Sequence, residues 1–138
     1  MIVNSAYMYM GKALPKSIHL FSNGSPNYNF AALTPGAQID NTGLVMKEYS
    51  QCKFSGVPLQ DKTKITVNFT NRSYPQSSRF VLYIKTSNME GAFSQAKSTA
   101  NPSEIFEIAI PERAQFENAT IQLEAASGNC TFTDITIE

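Results

Sequence analysis

Tryptophan is absent, histidine occurs once and cysteine twice in these 138 residues. Charged residues make up only 16%. Exposed helices are rich in Glu and Lys, whereas strands clothe their wet face with Ser, Thr, Asn and Gln, and this chain uses the second set. Eleven acidic residues balance eleven basic ones and neither sign forms a run, so charge offers nothing to a nucleic acid or to membrane insertion. No stretch approaches the ~20 apolar residues of a spanning helix. The opening MIVNSAYMYMGKALPK lacks the basic start of a secretory signal, and Asn4 and Ser5 interrupt its apolar run. Cytoplasmic synthesis is therefore the expectation, compatible with later assembly into a virion.

Catalytic signatures are missing too. There is no GxSxG, HExxH or P-loop. His19, the lone histidine, lies among Ile18, Leu20 and Phe21 and reads as a strand residue rather than a base. Glu104, Glu107, Glu112 and Glu117 are spaced as solvated strand or loop positions carry them, not as a pair across a sugar. Cys52 and Cys130 are too far apart for a CxxC motif. Each alternates with a phenylalanine (Phe54, Phe132), so both read as small buried hydrophobes, a disulfide between them being the alternative.

What is present is a series of short runs of period 2 separated by turn residues. Lys16 to Phe21, Gly36 to Ile39 and Leu44 to Phe54 come first, the last with a kink near Tyr49-Ser50 and a stop at Ser55-Gly56-Val57-Pro58. In Lys64 to Thr70, Ile65, Val67 and Phe69 alternate with polar residues, which predicts one buried face. Arg79 to Thr86 is apolar on both faces (Phe80, Leu82 and Ile84 against Val81 and Tyr83), which predicts a central strand partly covered on both sides. Ile105 to Ile110, Ala119 to Ala125 and Cys130 to Ile137 complete the set. In the last run Phe132 and Ile135 are out of phase, and a β-bulge at Thr133-Asp134 restores a common face for Cys130, Phe132, Ile135 and Ile137. Glu90 to Ala100 buries little and reads as a loop with one helical turn. The chain is thus expected to be all-β, an antiparallel two-sheet sandwich, forming one domain over residues 1–138. Residues 1–14, with the apolar set Ile2, Val3, Tyr7, Met8, Tyr9 and Met10, are either an edge strand or an arm docking on a second subunit.

Three segments, KFSGVPLQDKTKITVNFTN from Lys53, RFVLYIKTS from Arg79 and the tail from Phe106 to Glu138, together resemble the galactose-binding-like jelly rolls of carbohydrate-binding modules. The tail carries most of it: a strand ending in Pro111, a strand with a tight turn, and a final strand of the form apolar-x-Asp-apolar-x-apolar at Phe132, Asp134, Ile135 and Ile137. The resemblance covers about two thirds of the chain and implies a jelly roll that binds carbohydrate without catalysis. It also implies a structural calcium near Asp134. The Asn-Gly-Phe-Glu-like opening that helps build that site is absent here, and no cofactor is expected. A small jelly roll of this kind also resembles accessory proteins of phage tails and baseplates.

Sugar sites stack ring faces on exposed aromatics and hold hydroxyls with amide and charged side chains. The candidates are Tyr28 and Phe30 with Asn29 in one Asn-rich loop, and Tyr74 beside Asn71, Arg72 and Gln76 in another. Each aromatic reads equally as a lid folded onto the core. Sequons at Asn23, Asn68, Asn71, Asn118 and Asn129 are what so much Asn, Ser and Thr produces by chance. The expected partners are a cell-surface glycan and either further copies of the chain or other virion proteins. A purely structural assembly protein and a hydrolase with an unrecognised site are the rivals.

Overall fold

The computed structural model describes residues 17–22, 24–115 and 118–138. The N-terminal segment with Ile2, Val3 and Tyr7 to Met10 lies outside the described residues. Twelve strands occur among them: β1 (Ile18–Ser22), β2 (Ser25–Pro26), β3 (Ala31–Ala32), β4 (Ala37–Asp40), β5 (Gly43–Met46), β6 (Gln51–Pro58), β7 (Lys64–Asn71), β8 (Ser78–Thr86), β9 (Phe93–Thr99), β10 (Ser103–Ala109), β11 (Asn118–Ser127) and β12 (Cys130–Ile137). A short 3-10 turn, Glu112–Ala114, is the one helical element among the described residues.

The strands form two antiparallel sheets. The first runs β10–β7–β12 and then divides: β1 pairs with the C-terminal half of β12 and β5 with its N-terminal half. β2 extends β1 and β4 extends β5. The second sheet runs β3–β6–β11–β8–β9. Gly43 allows the β4–β5 hairpin to press on β12. Its φ is +136°, and a Cβ there would come within 2.5 Å of the Phe132 carbonyl oxygen.

Inward side chains of both sheets make one core, with Phe69, Phe106 and Phe132 of the first sheet meeting Phe80 of the second. The Phe69 and Phe80 rings stack at 5.1 Å, and Phe132 meets Phe80 edge-on at 5.2 Å. Cys52 and Cys130 are free thiols inside this core, and burial pushes each up to about 12.

The bulge in β12 is present. Phe132 faces Phe69 and Asp134 faces Asn68, which leaves Thr133 unpaired and exposed while Ile135 and Ile137 stay buried. Three local expectations need correction. Leu44 to Phe54 is not one kinked strand. β5 and β6 belong to different sheets, and Lys47 to Ser50 turn between them, closed by Ser50 N–H donating to the Lys47 carbonyl at 3.0 Å. Gly56 does not break β6, which ends at Pro58, because Gly56 takes φ +67° and the shift is absorbed as an irregularity opposite Ala119–Ile121. Glu90 to Ala100 contains β9, an edge strand whose core-side residues after Phe93 are Gln95, Lys97 and Thr99, so it lacks the apolar alternation that would have marked it. β8 lies one strand in from that edge, and its outer residues Val81 and Tyr83 are partly buried, as its two apolar faces predict.

Candidate functional site

The residues singled out by sequence fall in two separate places. Tyr28 and Asn29 form the tight link between β2 and β3, both in the left-handed region (φ +58° and +44°). Tyr28 is half-buried and packed against the core, and its carbonyl accepts from Ser55 N–H at 3.1 Å. Asn29 is exposed beside Gly56. Asn71 ends β7, and Arg72, Tyr74 and Gln76 lie in the β7–β8 connection, beside the turn from β11 into β12.

Asn71 is 3% exposed and its amide is spent on the fold. Its Nδ2 donates to the Gln76 and Thr99 carbonyls at 2.8 and 3.3 Å, and its Oδ1 accepts from Ser73 N–H and Ser78 Oγ, both at 2.9 Å. A buried amide so completely satisfied pins the loop. Gln76 contributes its carbonyl to that network and is itself exposed. Tyr74 is 56% exposed, and Arg72 is exposed with its Nε–H donating to Thr131 Oγ1 at 2.9 Å.

His19 sits on the outer face of the first sheet. Both its contacts, Asp134 Oδ1 and Thr136 Oγ1, are at 3.3 Å from the same nitrogen, Nδ1. A nucleophile–base relay uses opposite ring nitrogens, so this cluster is not one. The acids do not converge either. Glu104 accepts from Thr99 and Asn101, Glu107 pairs with Lys64 at 3.2 Å, Glu112 begins the 3-10 turn, and Glu117 lies outside the described residues. Among the described residues no three His, Cys, Asp or Glu side chains gather for a metal. Asp134, with a histidine and a threonine beside it, does not provide the oxygen-rich cage that calcium requires.

A third arrangement escaped the sequence reading. The second sheet turns a polar face outward, built by alternation from its three inner strands. β8 contributes Arg79, Val81 and Tyr83, β11 contributes Gln122 and Glu124, and β6 contributes Gln51 and Lys53. Register aligns them in rows: Gln122 stands between Tyr83 and Lys53, and Glu124 between Val81 and Gln51. Tyr83 Oη donates to Glu124 Oε1 at 2.9 Å, and Gln122 Nε2 donates to Gln51 Oε1 at 3.4 Å. The bond to Glu124 raises the Tyr83 phenol above its usual range, burial and the carboxylate charge adding to it. One half-exposed aromatic thus lies among two amides, a carboxylate, an ammonium and a guanidinium. The available signal was Gln122 and Glu124 alternating with Ile121 and Leu123. Which strands flank them is long-range information.

No family model matches the sequence, and no curated protein matches it. Solved structures do. A family 29 carbohydrate-binding module from Piromyces equi is similar over 88% of this chain and 89% of its own, with 12% identity and a TM-score of 0.58. A module from Clostridium stercorarium, CsCBM6-3, in complex with cellobiose, is similar over 81% of this chain and 88% of its own (13% identity, TM-score 0.55). A two-domain esterase active on acetylated mannans, co-crystallised with mannopentaose, is similar over 88% of this chain but only 36% of its own (11% identity, TM-score 0.58). At such identities the likeness is one of fold: this chain has the galactose-binding-like β-sandwich of carbohydrate-binding modules.

Proposed function

We propose that the protein is a non-catalytic carbohydrate-binding module that holds a glycan across the outer face of its second sheet. Tyr83 is the platform for a sugar ring, and Gln122, Glu124, Gln51, Lys53 and Arg79 supply donors and acceptors for hydroxyls. The observation that carries this reading is the register that sets Tyr83, Gln122 and Lys53 side by side on three adjacent strands. A sheet is stiffer than a loop, and prepositioned groups lose less freedom on binding. Tyr49, 69% exposed and with φ +71°, stands at the end of the same sheet, where its N–H donates to the Ala125 carbonyl at 2.6 Å. It offers a second ring at the rim. The fold shared with modules whose structures hold oligosaccharides supports the reading, and it favours glycan over an assembly or host-attachment role.

The loop reading is second. Tyr74 is exposed and Arg72 is beside it in sequence, so Tyr74, Arg72 and Gln76, or Tyr28 and Asn29, could instead meet the sugar. Titration calorimetry against soluble glucan, mannan and galactan oligosaccharides separates the two. Tyr83→Ala abolishes the heat on the sheet-face reading, while Tyr28→Ala with Tyr74→Ala leaves it unchanged. The reverse result moves the site to the loops, and no heat with any glycan removes the function.

A further inference from the structure

The first sheet carries its own recess, separate from the Tyr83 face. Between the β4–β5 hairpin and the β11–β12 turn lies an open groove of about 300 Å³, lined by Asp40, Thr42, Val45, Lys47, Arg72 and Asn129 among others. Its charged groups are fixed at one end and free at the other. Arg72 is held by its Nε–H on Thr131 Oγ1, a fully buried hydroxyl, and by its backbone N–H on the Asn129 carbonyl at 3.0 Å. That engages only one edge of the guanidinium fork, and among the described residues its terminal nitrogens have no hydrogen-bond or ion-pair partner. The Lys47 ammonium likewise has none. Asn129 uses its Oδ1 to accept from Glu48 N–H at 2.9 Å, so its amide nitrogen remains available. Asp40 uses Oδ1 for Thr42 N–H and Oγ1–H at 2.7 and 2.6 Å, and Oδ2 remains available. These bonds, chiefly the one from the Thr42 hydroxyl, hold the Asp40 carboxyl below its usual range, with Arg72 adding a smaller push.

We infer that this groove is a second sugar subsite, specific for a residue bearing a carboxylate, a uronic acid. The free fork of Arg72 takes the carboxylate, with Lys47 beside it. Planar bidentate pairing of this type is what arginine offers over lysine. Two cations against one ionised Asp40 leave a single surplus positive charge, which suits a monoanion. The Asp40 carboxylate repels a phosphate dianion, and Asp40 Oδ2 with the Asn129 amide is an acceptor and donor pair for neighbouring hydroxyls. Val45 supplies an apolar patch for a ring face.

The test is a nuclear magnetic resonance titration of the full chain, following the Arg72 Nε–H signal and the backbone amides of Thr42, Asn129 and Thr131. The probes are methyl β-D-glucuronide, methyl β-D-glucoside and acetate. The glucuronide shifts these signals, and the glucoside binds about tenfold more weakly or worse, the usual worth of a charge-assisted contact. Lys47→Gln, an exposed change that touches no hydrogen bond, weakens the glucuronide severalfold at an unchanged thermal midpoint. Arg72→Lys keeps the charge but loses the fork, and weakens it further. Tyr83→Ala leaves these shifts untouched, so the groove and the sheet face stand or fall separately. Glucoside binding equal to glucuronide, no shift with any probe, or acetate binding as tightly as the glucuronide would each overturn the inference.

Discussion

Tyr83 donates its phenolic proton to Glu124 across the β8–β11 pair at 2.9 Å, which fixes the one aromatic on the outer face of the inner strands. The bond orients the ring without making it indispensable to stability, because the group is half-exposed. Tyr83→Phe should keep most glycan affinity, since the stacking surface remains. Tyr83→Ala should lose it, at about 1–3 kcal/mol, the order found when stacked aromatics are truncated. Affinity electrophoresis on a polysaccharide gel reads both. Equal retention by Phe and Ala variants would place the ring outside the site.

The buried thiols set the alkaline limit of the fold. Burial raises Cys52 and Cys130 from 9.0 in the unfolded chain to about 12 when folded. The folded state therefore holds its protons longer, and the stability linked to them is complete below pH 9 and lost as pH rises from 9 toward 12. Thermal midpoints should fall over that window, and the fall should be shallower in Cys52→Ala and Cys130→Ala variants. Thiol reagent should react only as the protein unfolds. Prompt reaction of the native protein would contradict the burial.

Two core truncations and one outward change test the inward faces. Phe69→Ala and Leu82→Ala should each cost about 2–5 kcal/mol, the range for emptying a buried site. Thr66→Ala, on the outer face of β7, should stay within ~0.5 kcal/mol. Urea midpoints that are equally mild for all three would mean the faces are exchanged.

Deleting Thr133 is a sharper test of β12. Without the extra residue the strand alternates regularly from Phe132 through Asp134 and Ile135 to Ile137, so Phe132, Ile135 and Ile137 keep their common inward face. The deletion should therefore retain cooperative unfolding, and Thr133→Ala should behave as wild type. A deletion variant that loses cooperative unfolding would show that Thr133 is not a dispensable extra residue.

Residues 1–10 are expected to matter for assembly, on the strength of Ile2, Val3 and Tyr7 to Met10 alone. Light scattering should find an oligomer for the full chain and a monomer with unchanged β-signal after their removal. A monomeric full-length chain ends the idea, and an unfolded truncation makes the segment a sandwich strand.

Which residues go inside is legible in the sequence. Period 2 over Ile65, Val67 and Phe69, the phase break between Phe132 and Ile135, and the apolar contexts of Cys52 and Cys130 are local facts, because side-chain direction in a strand depends only on the backbone of that strand. Tertiary structure alone decided which strands are neighbours, and that decided the site. Val81 and Tyr83 mark β8 as apolar on both faces but do not say which strands flank it, and β9, without apolar alternation to mark it, is one of them. The turn at Lys47 to Ser50 carries the chain from one sheet to the other, so that β6 comes to lie beside β11. Only that pairing brings Lys53 and Gln51 to Gln122, Glu124 and Tyr83, residues whose proximity rests on hydrogen bonds between strands far apart in the chain. A loop aromatic announces itself by its polar neighbours in sequence, whereas a sheet-face site is assembled across strands.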